Sequence, residues 1–226
     1  VQIFHGCILK SHAKAIPDLA KFDHFFFPGP LYRKTFEAQV APLLNRTVRY
    51  HDTGMPRTDD ILALRTMRAE AIAALGLDSG KKTVLYSSTW HLEASFVSYG
   101  IAIAKAVSEL GLQLLVRPHP LAFAPMLGRA RQRALAVLDS CAAFPGVVLA
   151  HDKDDRYVMA ASDMMIADYG SIAYEYLILD RPVVFFDCPE YRHLLQEDDL
   201  ESWGRAAGTV VANVEELRTA IMASVG

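Results

Sequence analysis

The sequence has few cysteines and no long apolar run. Three cysteines, Cys7, Cys141 and Cys188, occur among its 226 residues. Their odd number and wide spacing argue against a disulfide framework or a zinc site built on cysteine pairs. No apolar stretch approaches the ~20 residues that a membrane-spanning helix needs, and no signal peptide is visible. We therefore expect a reducing, cytoplasmic compartment.

The sequence also lacks a strong excess of either charge. The 23 Lys and Arg residues against 26 Asp and Glu give a formal net charge of −3, without the basic excess of nucleic-acid-binding domains. The composition, 52% hydrophobic and 22% charged, indicates a packed core rather than disorder. No His, Cys, Asp or Glu cluster has metal-ligand spacing. We expect no metal, no cofactor and no nucleic-acid partner.

Short apolar segments typical of strands alternate with segments typical of helices along the whole chain. This alternation predicts an α/β protein with parallel sheets and right-handed crossovers. The predicted strands are 1–4, 23–27, 47–50, 83–86, 113–116, 147–150, 164–167, 183–186 and 209–212. The predicted helices are 7–19, 31–44, 60–75, 96–110, 126–141, 157–161 and 214–224, with one more beginning at Ser171.

A domain boundary is predicted in the region 54–80. About three strands precede it, roughly half of a Rossmann-like domain, whereas the chain from Thr83 onward has enough strand–helix units for a complete one. We predict a partial domain over 1–58, a connecting helix and linker over 59–80, and a nucleotide-binding Rossmann-like domain over 81–226. The chain begins with Val1 in a strand-like segment without an initiator Met, which indicates a piece of a longer protein.

The segment 163–175 has the pattern strand, tight turn, helix. Gly170 permits a sharp turn, and Ser171 is a favourable helix N-cap residue. The free N–H groups and the positive dipole end of such a helix make an anion site, typically for phosphate. An ordinary strand–helix unit of any α/β protein would show the same pattern, so this segment does not decide the function alone.

Polar side chains follow several of the predicted strands. Ligands of open parallel sheets bind beyond the carboxyl ends of the strands, and small hydroxyls, histidines and an arginine suit a phosphorylated ligand. The candidates are His5, Ser88, Thr89, Arg117, His119, Asp168, Gly170, Ser171 and Asp187, with Glu175 one turn into the following helix.

Each candidate also has a structural alternative. A histidine at a strand end is more often structural than catalytic, although Pro118 and Pro120 hold His119 on a stiff extended segment. Arg117 could be a surface charge, and the hydroxyls could serve only as a helix cap. The two aspartates could accept backbone N–H bonds at strand ends. Glu175 could bind a ribose diol or face solvent.

The order and spacing of the motifs resemble one known family. The matching elements are His5-Gly6 with Lys10, Phe27-Pro-Gly-Pro30, Gly54-Met-Pro-Arg57-Thr-Asp59, Tyr86-Ser-Ser-Thr-Trp90, Arg117-Pro-His-Pro120, Ala161 to Ser171, and Arg181-Pro-Val-Val-Phe-Phe-Asp187. The chain resembles the CDP-glycerol glycerophosphotransferases, the polymerases and primases of teichoic-acid synthesis. The resemblance runs almost end to end but covers only the later part of that family's catalytic region. It implies a GT-B-like fold of two facing Rossmann-like domains.

The resemblance also implies roles for individual residues. His5 is expected to be the general base for the acceptor hydroxyl, and His119 to contact the diphosphate and stabilise charge on the leaving CMP. Gly170 and Ser171 are expected to hold the pyrophosphate, and Lys10 to lie in the substrate site. The implied reaction transfers an alditol phosphate from CDP-glycerol, or another CDP-alditol, to a polyol-phosphate or glycan acceptor. The family acts at the inner face of the cell membrane, which implies peripheral membrane contact.

The sequence departs from the family pattern at a few positions, and two other functions stay open. Cys7 and Ile8 replace Thr-Pro, Ser87 and Ser88 replace Ala-Pro, and Gly170 replaces a hydroxyl residue. These departures bear on the donor more than on the fold. The alternatives are a different GT-B enzyme, either a nucleotide-sugar glycosyltransferase or a relative of UDP-N-acetylglucosamine 2-epimerase, and a non-enzymatic nucleotide-binding module.

Overall fold

The computed structural model describes residues 2–3, 19–44, 46–194 and 203–226. A small parallel sheet has the order β1 (Gln2–Ile3), β2 (His24–Phe27), β3 (Arg49–Asp52). A six-stranded parallel sheet is built from β4 (Thr83–Ser87), β5 (Gln113–Val116), β6 (Val147–Leu149), β7 (Met164–Ala167), β8 (Val183–Phe186) and β9 (Thr209–Val211). The predicted α/β class with two parallel sheets is confirmed.

Helices connect the strands of both sheets. They are α1 (Pro30–Gln39), α2 (Pro56–Ala63), α3 (Arg68–Ala74), α4 (Ser95–Glu109), α5 (Arg129–Cys141), α6 (Asp155–Ala161), α7 (Ile172–Tyr176), α8 (Pro189–Arg192) and α9 (Val214–Val225). Short 3₁₀ turns cover Ala41–Leu43, Leu64–Thr66, Pro120–Phe123, Pro125–Leu127, Leu177–Leu179 and Trp203–Ala207. The predicted helix 7–19 lies outside the described residues except for Leu19.

The central strands of the large sheet are buried on both faces. Every residue of β4, β5, β7 and β8 is buried, which is why these segments read as continuous apolar runs instead of alternating ones. One core lies on each face of the sheet, one including Ile103 and Val107 of α4, the other including Met159 of α6. In the small sheet, Phe25 and Phe27 pack against Phe36 of α1.

The connection between the two sheets differs from the single predicted helix 60–75. The first helix begins at Pro56, whose missing N–H suits the first helical position. A 3₁₀ turn at Leu64–Thr66 then separates α2 from α3. The Thr58 hydroxyl donates to the Met55 carbonyl. Gly76 follows with a left-handed φ of 65°, as expected after a helix end.

This connecting segment packs on the large sheet. Ile61, Leu64 and Ala71 are almost fully buried and share one core with Leu85 and Leu115 of β4 and β5. The segment therefore places the residues at the start of α2 against the C-terminal sheet.

The start of the predicted helix 126–141 is also corrected. Residues Pro125–Leu127 form a 3₁₀ turn, and Gly128 adopts a φ of 51°, a conformation that disrupts right-handed helical geometry. The α-helix therefore begins at Arg129.

We predict that Gly208 tolerates no side chain whereas Gly170 does. A Cβ atom on Gly208 would meet the Val183 carbonyl oxygen and lie 2.9 Å from Cε2 of Phe185, whereas on Gly170 its nearest neighbour would be 3.9 Å away. Overpacking against backbone should make Gly208→Ala less stable by about 1–3 kcal/mol in denaturant unfolding. Gly170→Ala is the matched control, and an equal effect of both changes would contradict this packing.

Candidate active site

The candidate site is a cleft where two neighbouring strands of the large sheet end. The strand order is β6-β5-β4-β7-β8-β9. The successive strands β5 and β6 are added on one side of β4, and those from β7 to β9 on its other side, so the strand order switches between β4 and β7. At such a switch point the loops leave toward opposite faces and open a crevice. A cleft of about 280 Å³ lies there, lined by Arg57, Ser87, Ser88, Arg117, His119, Pro120, Asp155, Gly170, Ser171, Ile172 and Glu175.

The turn after β4 is rich in hydroxyl groups and almost wholly buried. Ser88 is 3% exposed and lines the cleft, and its Oγ atom has no hydrogen-bond partner in the described part of the chain. A buried hydroxyl without a partner costs about 1–3 kcal/mol, which makes Ser88 a candidate ligand-binding group. Thr89 is buried but does not line the cleft, and its substrate contact stays a prediction.

Asp168 is fully buried and bound to protein groups. Its carboxylate accepts hydrogen bonds from the amides of Thr89 (2.8 Å), Ser95 (3.1 Å) and Tyr169 (2.6 Å) and from the Ser95 hydroxyl (2.8 Å). Burial raises the pKa of Asp168, while these hydrogen bonds act in the opposite direction. Asp168 does not line the cleft, and its oxygens hold the loop after β4. Its substrate contact stays a prediction.

We predict that Asp168→Asn destabilises the protein. The amide group that replaces one carboxylate oxygen would face donors instead of accepting from them, and an unsatisfied buried donor costs about 1–3 kcal/mol. Thermal unfolding should show a clear drop in Tm. The control is Asp152→Asn, an exposed carboxylate, for which a change within about 0.5 kcal/mol is expected; equal stability of the two variants would argue against the proposed role of Asp168.

Gly170 and Ser171 line the cleft after β7, but the turn works differently from the sequence prediction. Gly170 is not among the glycines with positive φ, so the turn does not require glycine. Ser171 occupies the N-cap position with helical φ and ψ of −64° and −24°, and its side chain makes no capping bond. The helix that follows has five residues and continues as a 3₁₀ turn, so its dipole is short.

The segment after β5 brings His119 to the cleft. Its backbone is tied to the neighbouring strand, since the Arg117 amide donates to the Tyr86 carbonyl (2.9 Å) and the His119 amide donates to the Ser88 carbonyl (3.0 Å). His119 has the extended backbone expected before Pro120. Its Nδ1 atom accepts the Leu121 amide hydrogen at 3.1 Å. The neutral ring therefore carries its proton on Nε2, which can donate to an anion.

Arg117 is a mostly buried cation of the cleft and not an exposed surface charge. Its side chain is 11% exposed and forms an ion pair with Asp155. Burial lowers the pKa of Arg117, the nearby Arg57 lowers it further, and Asp154 raises it. The Arg117 guanidinium loses hydration because it is mostly buried. A phosphate group bound in the cleft could replace part of that hydration with charged hydrogen bonds.

Two charged residues of the cleft, Arg57 and Asp155, were missed by the sequence analysis. Arg57 donates from Nε to Glu175 and from Nη2 to Asp155, both at 2.6 Å. Asp155 is the first residue of α6, next to the N-cap Asp154. Arg57 lies in the quoted motif Gly54–Asp59, and that motif was the signal available in the sequence. Glu175 is 5% exposed, so it does not face solvent.

Asp187 does not line the cleft. It accepts hydrogen bonds from the Tyr169 hydroxyl (2.8 Å) and from Nη1 of Arg205 (2.9 Å). Burial opposes ionisation of Asp187, but these contacts outweigh it and lower its pKa. Arg205 lies over the Tyr169 ring at 4.5 Å. This carboxylate neutralises the buried Arg205, and its substrate contact stays a prediction.

Two predicted site residues, His5 and Lys10, lie outside the described residues. Within the described residues, no group of three or more His, Cys, Asp or Glu side chains could hold a metal ion. The predicted candidates that do converge on the cleft are Ser88, Arg117, His119, Gly170, Ser171 and Glu175.

Comparison with known proteins decides the family. The family model for CDP-Glycerol:Poly(glycerophosphate) glycerophosphotransferase matches residues 8–224. The chain belongs to this family. The family members are glycerophosphotransferases, as the sequence resemblance predicted.

Individual proteins similar to this chain share a quarter or less of its sequence. The teichoic acid ribitol-phosphate polymerase TarK of Staphylococcus aureus is 24% identical over 177 residues, 72% of this chain and 31% of TarK. The wall teichoic acid polymerase TagF aligns with a TM-score of 0.67 at 20% identity, covering 98% of this chain and 58% of TagF. A UDP-forming α,α-trehalose-phosphate synthase from Burkholderia vietnamiensis aligns at 0.54 and 11% identity, covering 95% of this chain and 54% of the synthase.

These comparisons confirm the fold. The two parallel sheets are those of a GT-B-like fold, as predicted. The chain spans about a third of TarK and less than two thirds of TagF. At these identities the likeness to solved structures concerns the fold alone.

Proposed function

We propose that the protein transfers an alditol phosphate from a CDP-alditol, such as CDP-glycerol, to a polyol-phosphate acceptor in cell-wall polymer synthesis. The observation that carries this proposal is that residues of two motifs quoted for the family, Arg117–Pro120 and Asp168–Ser171, meet in one cleft at the switch point of the large sheet. These residues are Arg117, His119, Pro120, Gly170 and Ser171. One TagF structure was obtained after a soak with CDPG, which makes this donor the first to test.

The proposed chemistry is an in-line phosphoryl transfer. The acceptor hydroxyl oxygen attacks the phosphorus that carries glycerol, and the bond from this phosphorus to the bridging oxygen breaks. CMP leaves with the bridging oxygen, and the hydroxyl proton passes to His5, the base implied by the resemblance. His119, as an Nε2 donor, and Arg117 would stabilise charge on the leaving group. Such transfers depend mostly on positioning and charge stabilisation.

The domain assignment is part of this proposal. We assign 1–58 to the partial acceptor-side domain, 59–80 to the connection and 81–226 to the donor-binding domain. Burial of Ile61 and Leu64 against β4 and β5 supports grouping the connection with the donor-binding domain. The first domain would present the acceptor across the cleft from the donor.

We predict that the chain binds CDP-glycerol or CDP-ribitol in preference to UDP-N-acetylglucosamine. Calorimetric titration with the three ligands side by side measures this directly. His119→Ala should weaken donor binding roughly ten- to a hundredfold through loss of a hydrogen bond to a charged group. His5→Ala should retain donor binding and abolish transfer.

The outcomes distinguish the proposed function from its alternatives. Preference for the UDP-sugar would favour the nucleotide-sugar glycosyltransferase or the 2-epimerase-like enzyme, a fold-level possibility that the trehalose-phosphate synthase likeness illustrates. Donor binding without any transfer that depends on His5 would favour a nucleotide-binding module. Loss of donor binding in His5→Ala would contradict its assignment as the acceptor base.

We also propose peripheral contact with the cytoplasmic face of the membrane. No helix among the described residues is long and apolar enough to cross a bilayer. Beside His119, the turns 120–127 expose Leu121 (44%) and Met126 (84%), and exposed Arg129 and Arg133 follow. Apolar tips next to cations suit the surface of an anionic bilayer.

We predict that Leu121→Ser with Met126→Ser weakens co-sedimentation with phosphatidylglycerol vesicles roughly tenfold, because less apolar surface is buried in the bilayer. Met222→Ser, an equally polar change at another exposed methionine, is the control and should have little effect. If the double variant and the control both bind vesicles as tightly as the original chain, this surface is not the membrane contact.

A further inference from the structure

Arg57 precedes the first strand of the large sheet in the chain, whereas the other residues that line the cleft lie within that strand or follow it. It lies at the start of α2, directly after Pro56, in the segment that follows the last strand of the small sheet. Its partners Asp155 and Glu175 belong to α6 and α7, about a hundred residues further along the chain. The three side chains line the same cleft as His119 and Ser171.

The ion pairs of Arg57 leave much of its guanidinium accessible. The Arg57 side chain is 48% exposed, whereas those of Asp155 and Glu175 are 24% and 7% exposed. The carboxylates therefore lie beneath the guanidinium. They use its Nε and Nη2 atoms, and Nη1 has no hydrogen-bond partner within the described part of the chain. A guanidinium has five N–H donors, so it can bind an anion while both ion pairs persist.

Positively and negatively charged side chains alternate along the cleft in the order Arg117, Asp155, Arg57, Glu175. Asp155 pairs with Arg117 as well as with Arg57, and Arg57 pairs with Glu175. Two carboxylates thus fix two guanidinium groups without any ligand. An arginine that is already held in place loses less side-chain entropy when it binds phosphate.

We infer that Arg57 is a diphosphate-binding residue of the donor site, held in position by Asp155 and Glu175. This role rests on the proposed function, because it assumes that the cleft takes a nucleoside diphosphate. It also makes the donor site dependent on the segment between the two sheets. A C-terminal sheet alone, with Arg117 and His119, would hold the diphosphate less tightly.

The test is titration of the full chain and its Arg57→Ala variant with CDP-glycerol, cytidine and inorganic pyrophosphate. Loss of a charged hydrogen-bond donor should weaken CDP-glycerol and pyrophosphate binding roughly ten- to a hundredfold, with cytidine binding changed less than about twofold. Arg57→Lys should recover part of the affinity, because an ammonium group keeps the positive charge but lacks the forked N–H donors of a guanidinium. Arg65→Ala removes an exposed arginine two turns away that does not line the cleft and should bind like the original chain.

A second variant separates binding from folding. Arg57→Ala leaves the buried Glu175 without its partner, which could destabilise the protein. Arg57→Gln combined with Glu175→Gln removes both charges together and should show the same loss of pyrophosphate binding. Unchanged pyrophosphate and CDP-glycerol binding in either variant would overturn the inference.

Failure of the proposed function would look different. If the original chain binds pyrophosphate through Arg57 but no CDP-alditol, Arg57 is still an anion-binding residue and the donor assignment is wrong. If the original chain binds neither ligand, both the function and the role of Arg57 are overturned.

Discussion

A fully buried carboxylate, that of Asp168, connects the two loops that shape the cleft. It follows β7, yet its bonds reach Thr89 and Ser95 in the segment after β4. Charge buried in this way is tolerated when every lone pair is satisfied. The distance between the two loops, and so the width of the crevice at the switch point, depends on this network. Ser88 and Ser171, which belong to these loops, are positioned by it although neither contacts Asp168 directly.

Around this crevice, two arginines supply charged hydrogen-bond donors, whereas the helix dipole is short. The helix after Ser171 has five residues, whereas Arg57 and Arg117 are full charges held by Asp155 and Glu175. Interactions between full charges and phosphate in a partly buried site exceed those of partial charges at a short helix end. His119 adds a neutral donor, since its Nδ1 atom is used by the Leu121 amide. This arrangement suits the diphosphate of a nucleotide donor in a glycerophosphotransferase.

The sequence predicted most of the fold because the strands are short apolar runs bounded by polar residues. The strands Gln113–Val116, Met164–Ala167 and Val183–Phe186 were predicted to the residue. Helix starts were less predictable. Pro56 and Gly128 moved two of them, and the turn at Leu64–Thr66 divided the first of these two helices, because local backbone geometry overrode the apolar periodicity.

Site residues were predicted where topology alone brings strand ends together, as for His119, Arg117 and Ser171. Asp168 and Asp187 also follow strands, but a sequence does not show whether a carboxylate meets a ligand or is satisfied by protein donors. Arg57 was missed because its partners are distant in sequence and belong to the other unit, so no local pattern pairs them. A structure of the chain with bound CDP-glycerol tests the central claim most directly. We predict the diphosphate between Arg57, Arg117, His119 and the Ser171 turn; a nucleotide bound away from the ends of β4 and β7 would contradict it.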